Sequence, residues 1–289
     1  MGPSLRACFD KLSMSGSWYL RHLLKPAQPE HVEGRTLTMP QSPPRILTIA
    51  GSDSSGGAGI QADVKTIVML GGYAMTAVTA LTAQNTLGVS AVELVSAEMV
   101  AAQIEACVSD IGIDAVKIGM LGSAAVAHAV AEAVARTAVP VVFDPVIIAT
   151  SGAALADADT IAAFERLMAL ATLTTPNVAE LEALGGNDAM RERGVAYLAK
   201  GGDADGATVI DRLVRADGTT LSFEGSRIAT RHTHGTGCTL SSAIATFLGM
   251  GLPLEEAIDR ARGFVRSALR AAPGFGAGAG PLGHHAARG

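Results

Sequence analysis

The sequence predicts an α/β fold with a doubly wound, mostly parallel sheet and helices on both faces, and three observations support this. Strand-like and helical patterns alternate along the chain from residue 46 onward. The strand patterns are short, continuous apolar runs, which is typical of strands buried on both faces. Several of these runs end at a glycine or a polar residue, as strands do when they lead into a loop. Together they indicate a three-layer α/β/α arrangement.

The individual elements follow from local patterns. We predict strands over residues 46–51, 73–86, 115–121, 139–147, 171–177 and 194–202. A hairpin is predicted over 208–225, with Asp217 and Gly218 at its turn. Helices are predicted after the glycine-rich loop at 54–59, over 96–112 with Met99, Ile104 and Val108 facing inward, over 177–186, over 236–247 and over 252–274.

Composition excludes several classes of protein. The 289 residues are 48% hydrophobic, which can fill a sizeable core, and carry a net charge of −5 without a basic stripe, so nucleic acid is not an expected partner. The three cysteines, Cys8, Cys107 and Cys238, form no CxxC pair, which favours a reducing, cytoplasmic location. No apolar run approaches the roughly 20 residues that span a bilayer, so no membrane association is expected.

The two ends differ in character from the rest. Residues 1–38 show no sustained periodicity and are interpreted as a disordered or non-native N-terminal extension. Residues 39–283 are interpreted as a single domain, since no linker interrupts them. Residues 284–289 are expected to form a tail in which His284 and His285 are solvated.

A glycine loop that leads into an apolar helix is the strongest candidate for chemistry. Gly235 and Gly237 flank Thr236, and Cys238 follows at the start of the helical pattern. The N-terminus of a helix presents unpaired N–H groups and partial positive charge, which favour an anion such as phosphate. The same N–H groups are expected to lower the pKa of the Cys238 thiol.

Polar residues also follow the predicted strands, at Asp53, Gln84, Asp144, Asn177 and Lys200. In doubly wound sheets, ligands bind outside the carboxyl ends of the strands. We therefore expect these residues and the 234–238 loop to surround one site.

Sequence blocks in this region resemble a known family. AGSDSSGGAGIQAD, TALTAQNT, KIGML, DPVI, TPNVAE, AKGG and HTHGTGCTLSSAI occur in this order between residues 45 and 283. They are similar to the hydroxymethylpyrimidine/phosphomethylpyrimidine kinases of thiamine biosynthesis, which belong to the ribokinase-like superfamily. The resemblance implies a ribokinase-like fold and transfer of phosphoryl groups from ATP, with Mg²⁺, to 4-amino-5-hydroxymethyl-2-methylpyrimidine and then to its monophosphate.

The resemblance also implies roles for single residues. The amide of Gln84 is expected to hydrogen-bond the aminopyrimidine ring, because it can donate and accept at once. The same ring pocket is expected to include Gly51, Ala58, Asp63, Met120 and Val146. Asp144 and Glu180 are expected near Mg²⁺, and Lys200, Asn177 and Glu180 near the ATP phosphates.

In the implied mechanism, the backbone N–H groups of Gly235, Thr236, Gly237 and Cys238 hold the migrating phosphoryl group. Cys238, as thiolate or thiol, accepts the proton of the hydroxymethyl group late in the transfer.

Alternatives remain open at this point. Asn177 and Glu180 have the spacing of a helix capping box, which needs no catalytic role. A pyridoxal/pyridoxine kinase of the same superfamily is a second candidate function, and a catalytically silent ligand-binding protein is a third. By analogy with the superfamily, the chain is compatible with a homodimer.

Overall fold

A nine-stranded sheet organises the protein, as shown by a computed structural model that describes residues 42–148 and 155–287. The strands are β1 (Arg45–Asp53), β2 (Tyr73–Gln84), β3 (Val89–Leu94), β4 (Ala115–Ile118), β5 (Val141–Phe143), β6 (Leu173–Thr174), β7 (Tyr197–Ala199), β8 (Thr208–Val214) and β9 (Thr220–Ser226). The predicted extension over residues 1–38 lies outside the described residues.

The sheet is parallel in its centre and antiparallel at its edges. Its order is β3-β2-β1-β4-β5-β6-β7-β8-β9, and the strands from β2 to β7 in this order pair in parallel. β3, β8 and β9 pair antiparallel with their neighbours. From β1 the chain builds the sheet first to one side, through β2 and β3, and then to the other side, beginning with β4. The strand order therefore reverses between β1 and β4, and open α/β sheets bind ligands in a crevice at such a point.

Eight α-helices cover the two faces of the sheet in the described part of the chain. They are α1 (Gly59–Met69), α2 (Ala97–Asp110), α3 (Ala124–Val134), α4 (Ala158–Leu170), α5 (Val178–Ala183), α6 (Gly186–Glu192), α7 (Thr236–Gly249) and α8 (Leu254–Arg270). One apolar core contains residues of α2 to α6, and a second contains residues of α1, α7 and α8. The two cores give the predicted three-layer α/β/α fold.

Helix starts follow local sequence chemistry. The side chains of Ser96, Ser123 and Asp157 accept hydrogen bonds from the first turns of α2, α3 and α4. None of the helices in the described ranges is long and apolar enough to cross a membrane.

Several local predictions were wrong. β3 was not predicted, because five of its six residues are exposed and its sequence lacks an apolar run. Met99 is exposed on α2 and Val100 is buried in its place, whereas Ile104 is buried and Val108 packs against the core, as predicted. The predicted 177–186 helix is shorter, and the unpredicted α6 follows it because Gly185, with φ of 94°, restarts the helix.

The predicted solvated tail is also wrong in part, because its first histidine is buried. His284 opens a short 3₁₀ helix, is 3% exposed, and its Nε2 lies 2.9 Å from the Thr239 hydroxyl on α7. His285 is exposed, as expected. The glycine-rich segment before them packs on the domain, and the His234 N–H donates to the Gly280 carbonyl.

Candidate active site

A cavity of about 630 Å³ lies at the carboxyl ends of the parallel strands, where the sequence predicted a site. Strand ends contribute Gly51 from β1, Gln84 from β2 and Lys200 directly after β7, while Met120 and Asp144 follow β4 and β5. With one exception, every predicted site residue lines this cavity, namely Gly51, Ala58, Gln84, Met120, Asp144, Val146, Asn177, Glu180, Lys200, Gly235, Thr236, Gly237 and Cys238.

The exception is Asp63, which was wrongly predicted to line the ring pocket. It is fully buried on the inner side of α1, and its carboxylate lies 2.8 Å and 2.9 Å from Nζ of the equally buried Lys117. The hydroxyls of Thr48 and Ser242 donate to the same carboxylate. Asp63 therefore belongs to a buried ion pair beneath the cavity, because the side of α1 on which it lies faces the sheet.

The start of α7 opens into the cavity through a tightly packed glycine. Gly235 has φ of 89°, and a Cβ atom there would meet the carbonyl oxygen of Gly57. The Thr236 N–H was expected to hold the phosphoryl group, but it donates to the Thr233 carbonyl instead. The N–H groups of Gly237 and Cys238 have no intrahelical carbonyl to bind, since they belong to the first turn. These two groups are thus available to an anion at the helix N-terminus.

A cluster of opposite charges lies beside this helix start. Lys200 Nζ is 2.8 Å from Asp144 Oδ1 and 3.6 Å from Glu180 Oε2. Burial disfavours the charged form of Asp144, but Lys200 and Lys117 outweigh it and hold the pKa of Asp144 below its usual value. Burial also opposes the charge of Lys200, yet Asp144 and Glu180 raise its pKa. Lys200 and Asp144 are therefore both charged.

Glu180 has a structural role that the sequence had left open. Asn177 Oδ1 accepts from the Glu180 N–H, and Glu180 Oε2 accepts from the Asn177 N–H, each at 2.8 Å. These reciprocal bonds form the predicted capping box at the start of α5. Burial and the nearby Asp144 raise the pKa of Glu180, while Lys200 opposes the rise. Its second carboxylate oxygen is left for other partners.

The Cys238 thiol differs from its prediction. Burial raises its pKa to about 11, and Asp63 and Asp144 act in the same direction, whereas Lys117 and the Gly59 N–H oppose the rise. The helix N-terminus does not outweigh this desolvation, so the expected lowering of the pKa was wrong. Cys238 is a neutral thiol near pH 7.

Comparison with known proteins decides the family. The family model described as phosphomethylpyrimidine kinase matches residues 53–283, which is most of the chain. The chain belongs to the phosphomethylpyrimidine kinase family.

Individual relatives and solved structures that are similar to this chain agree with the family assignment. A hydroxymethylpyrimidine/phosphomethylpyrimidine kinase of Rhizobium meliloti is 46% identical over 256 residues, covering 83% of this chain and 96% of the relative. A thiamine biosynthesis bifunctional protein of Geobacter sulfurreducens is 44% identical over 253 residues, covering 83% of this chain but 52% of that longer protein. Among solved structures, an ADP complex of Bacillus subtilis pyridoxal kinase superposes with a TM-score of 0.78 at 32% identity, covering 85% of this chain and 98% of that one.

Asp53 and His234 both line the cavity, as the sequence predicted for Asp53 and the 234–238 loop, but the contact between their side chains was not predicted. His234 Nε2 lies 2.9 Å from Asp53 Oδ2 and 3.3 Å from Gln84 Nε2. The sequence places the two loops at one site, but no local pattern shows that these two side chains form a hydrogen bond.

One group of cavity residues, at the far end of the cavity, was missed by the sequence reasoning. It consists of apolar side chains from the β8–β9 hairpin, the loop after it and α8, namely Val209, Ile228, Val265 and Leu269. Arg262 lies beside them and pairs with Asp211 at 2.7 Å. These residues come together only when α8 packs near the hairpin, so the sequence gives no signal of their proximity.

Proposed function

We propose that the chain phosphorylates 4-amino-5-hydroxymethyl-2-methylpyrimidine with ATP, and then phosphorylates the monophosphate to the diphosphate, in thiamine biosynthesis. One observation supports this most directly. Gln84, whose amide suits the ring, lines the same cavity as the N-terminus of α7 and Lys200. Family membership and the names of the relatives support the substrate class.

The ring is proposed to bind at the end of the cavity near β1 and β2. Gln84 supplies a donor and an acceptor for the amine and a ring nitrogen. Met120 and Val146 pack on the ring faces, and Ala58 lies at its edge. Gly51 leaves room, because a Cβ atom there would lie 2.9 Å from the sulfur of Met120.

Phosphate groups are proposed to bind at the start of α7. Because the transition state of phosphoryl transfer is loose, the protein contributes little covalent catalysis. Most of the rate acceleration comes from positioning the reactants and neutralising their charge. The N–H groups of Gly237 and Cys238 point at the γ-phosphoryl group, and one preorganised donor of this kind is worth about 3 kcal/mol. Lys200 adds a positive charge, and a Cβ atom at Gly237 would lie 3.3 Å from its Nζ.

Mg²⁺ is compatible with the residues beside this end of the cavity. The described residues contain no group of three or more side chains that could form a protein-only metal site. Mg²⁺ usually takes one or two carboxylates and completes its shell with water and phosphate, and Asp144 and Glu180 provide such a pair. Bound there with ATP, it would neutralise phosphate charge. Asn177 holds Glu180 in place through the capping box.

The transfer itself forms a bond between the hydroxymethyl oxygen and the γ-phosphorus and breaks the bond from that phosphorus to the ADP oxygen. The hydroxyl proton is proposed to pass to Cys238. Only the thiolate can accept it, and at a pKa of about 11 the thiolate is a small fraction at neutral pH. The mechanism therefore predicts that kcat rises about tenfold per pH unit between pH 7 and 9.

Product analysis by mass tests the function. Purified protein with ATP, Mg²⁺ and the hydroxymethylpyrimidine should give the monophosphate and then the diphosphate, and Cys238→Ala should lower kcat well below that of the unsubstituted protein. Absence of any phosphorylated pyrimidine would refute the function. A kcat that is flat from pH 7 to 9, or unaffected in Cys238→Ala, would refute the proton transfer to Cys238 alone.

A pyridoxal kinase activity is the second candidate, because the fold superposes well on a pyridoxal kinase. The same assay with pyridoxal decides between them, and kcat/KM should be higher for the pyrimidine. A cytoplasmic location and a homodimer stay predictions from the sequence and from family analogy.

A further inference from the structure

The imidazole of His234 bridges the phosphate end of the cavity to its ring end. His234 directly precedes Gly235, is 5% exposed, and packs against Gly57. Its Nε2 atom lies 2.9 Å from Asp53 Oδ2 and 3.3 Å from the side-chain amide of Gln84. His234 Nε2 therefore contacts both the Asp53 carboxylate and the Gln84 amide, which is proposed to recognise the substrate.

The hydrogen bonds of Asp53 show whether His234 Nε2 carries a hydrogen atom. The Asp53 carboxylate accepts from the N–H groups of Ser55, Gly57 and Ala58 and from the Ser55 hydroxyl, all within 3.0 Å. Burial opposes its charge, but these bonds and His234 hold the pKa of Asp53 below its usual value. An ionised carboxylate only accepts hydrogen bonds. The hydrogen between Asp53 and His234 must therefore be on Nε2.

The amide of Gln84 then has one consistent orientation. A protonated Nε2 has no lone pair, so it cannot accept from the Gln84 amide nitrogen. On the other side, the amide lies 3.2 Å from the Thr82 hydroxyl, whose one hydrogen is directed to the Ser52 carbonyl at 3.0 Å. Both conflicts disappear when the amide is rotated by 180°, so that its nitrogen faces Thr82 and its oxygen faces His234 as the second, longer acceptor of the Nε2 hydrogen beside Asp53.

We propose that His234 is a specificity-determining positioning residue, which fixes the Gln84 amide with its oxygen toward His234 and its nitrogen toward Thr82. The remaining lone pair and N–H then face the cavity in one fixed order. This order selects an aromatic ring in which an amine lies beside a ring nitrogen acceptor. The inference rests on the proposed function for the identity of that ring.

The tautomer of His234 can be tested without any substrate. Long-range ¹H–¹⁵N spectra of ¹⁵N-histidine-labelled protein report which ring nitrogen carries hydrogen, and the His234→Phe spectrum assigns the signal. We expect hydrogen on Nε2 in the unsubstituted protein. A neutral imidazole protonated on Nδ1 alone would overturn the inference, whatever the protein phosphorylates.

Kinetics test the consequence for specificity. The ratio of kcat/KM for the hydroxymethylpyrimidine to that for the same ring lacking the 4-amino group should fall about tenfold in His234→Phe, since one oriented hydrogen bond is at stake. His234→Gln, whose amide can still donate to Asp53, should restore part of the ratio. The KM for ATP should stay within about twofold in both variants.

A general structural defect would lower kcat for both rings equally and leave their ratio unchanged, and that result would overturn the inference. If the unsubstituted protein phosphorylated neither ring, the proposed function would fail instead, while the tautomer would still be measured independently.

Discussion

Replacing Lys117 with Met should destabilise the protein strongly, because it removes the only ammonium group that contacts the buried Asp63 carboxylate among the described residues. Both side chains are 0% exposed, and Lys117 Nζ makes two contacts with Asp63 at 2.8 and 2.9 Å. Removing one partner of a buried pair costs about 3–5 kcal/mol. This is a large part of the roughly 5–15 kcal/mol that keeps a domain folded.

Two further variants test whether the loss of stability in Lys117→Met comes from the buried pair itself. The double variant Lys117→Met, Asp63→Asn leaves no charge at this pair, and of the Thr48 and Ser242 hydroxyls one can still donate to the amide oxygen while the other accepts from the amide NH2 group. It should therefore recover at least about 1 kcal/mol relative to the sum of the single variants. Arg260→Met breaks an exposed pair with Glu256 on α8 and should cost no more than about 0.5 kcal/mol.

Urea unfolding followed by circular dichroism gives these free energies. A loss below about 1 kcal/mol in Lys117→Met, or strictly additive effects in the double variant, would refute the assigned buried pair. Because Asp63 does not line the cavity, Asp63→Asn should change stability more than the KM for the pyrimidine. The opposite result would restore Asp63 to the ring pocket.

The remaining predictions concern a thiol, a histidine and a glycine. At pH 8 the Cys238 thiol should react with iodoacetamide at least about a hundredfold more slowly in the folded protein than in urea, as measured by peptide mass, since its pKa is raised to about 11; equal rates would contradict this. Burial lowers the pKa of His284 to about 4 from 6.5. The unfolded chain therefore takes up a proton that the folded one refuses, so stability should be lost as the pH falls from 6.5 to 4, by about 3 kcal/mol in total. His284→Gln should flatten that slope in urea titrations. Gly235→Ala should lower both kcat and stability, since φ is 89° and the Gly57 carbonyl blocks the new methyl group. Gly251→Ala, with φ of 84° and open space around it, should cost only about 1 kcal/mol and leave kcat unchanged; similar kcat values in both variants would contradict the packing argument.

The sequence by itself determined the fold class and the edge of the sheet at which the candidate site lies. Continuous apolar runs indicated strands buried on both faces, and glycines or polar residues at their ends indicated loops at one edge of the sheet. Since the carboxyl ends of parallel strands meet at one edge, the positions of Gln84, Asp144 and Lys200 along the chain were sufficient to bring them into one cavity. The capping box of Asn177 and Glu180 was predictable for a different reason, because it depends only on residues three positions apart.

Only the tertiary structure decided the environments of the side chains. Asp63 lies in a block typical of the family, yet its place on α1 directs it to Lys117 rather than to the cavity. The helix N-terminus predicted a low pKa for Cys238, but desolvation by the surrounding fold reverses the sign. The sequence predicted a solvated tail at His284, whereas the fold buries its imidazole against Thr239. Burial, pKa and the hydrogen bonds between Asp53, His234 and Gln84 depend on segments far apart in the chain, and local periodicity carries no information about the side-chain contacts between such segments.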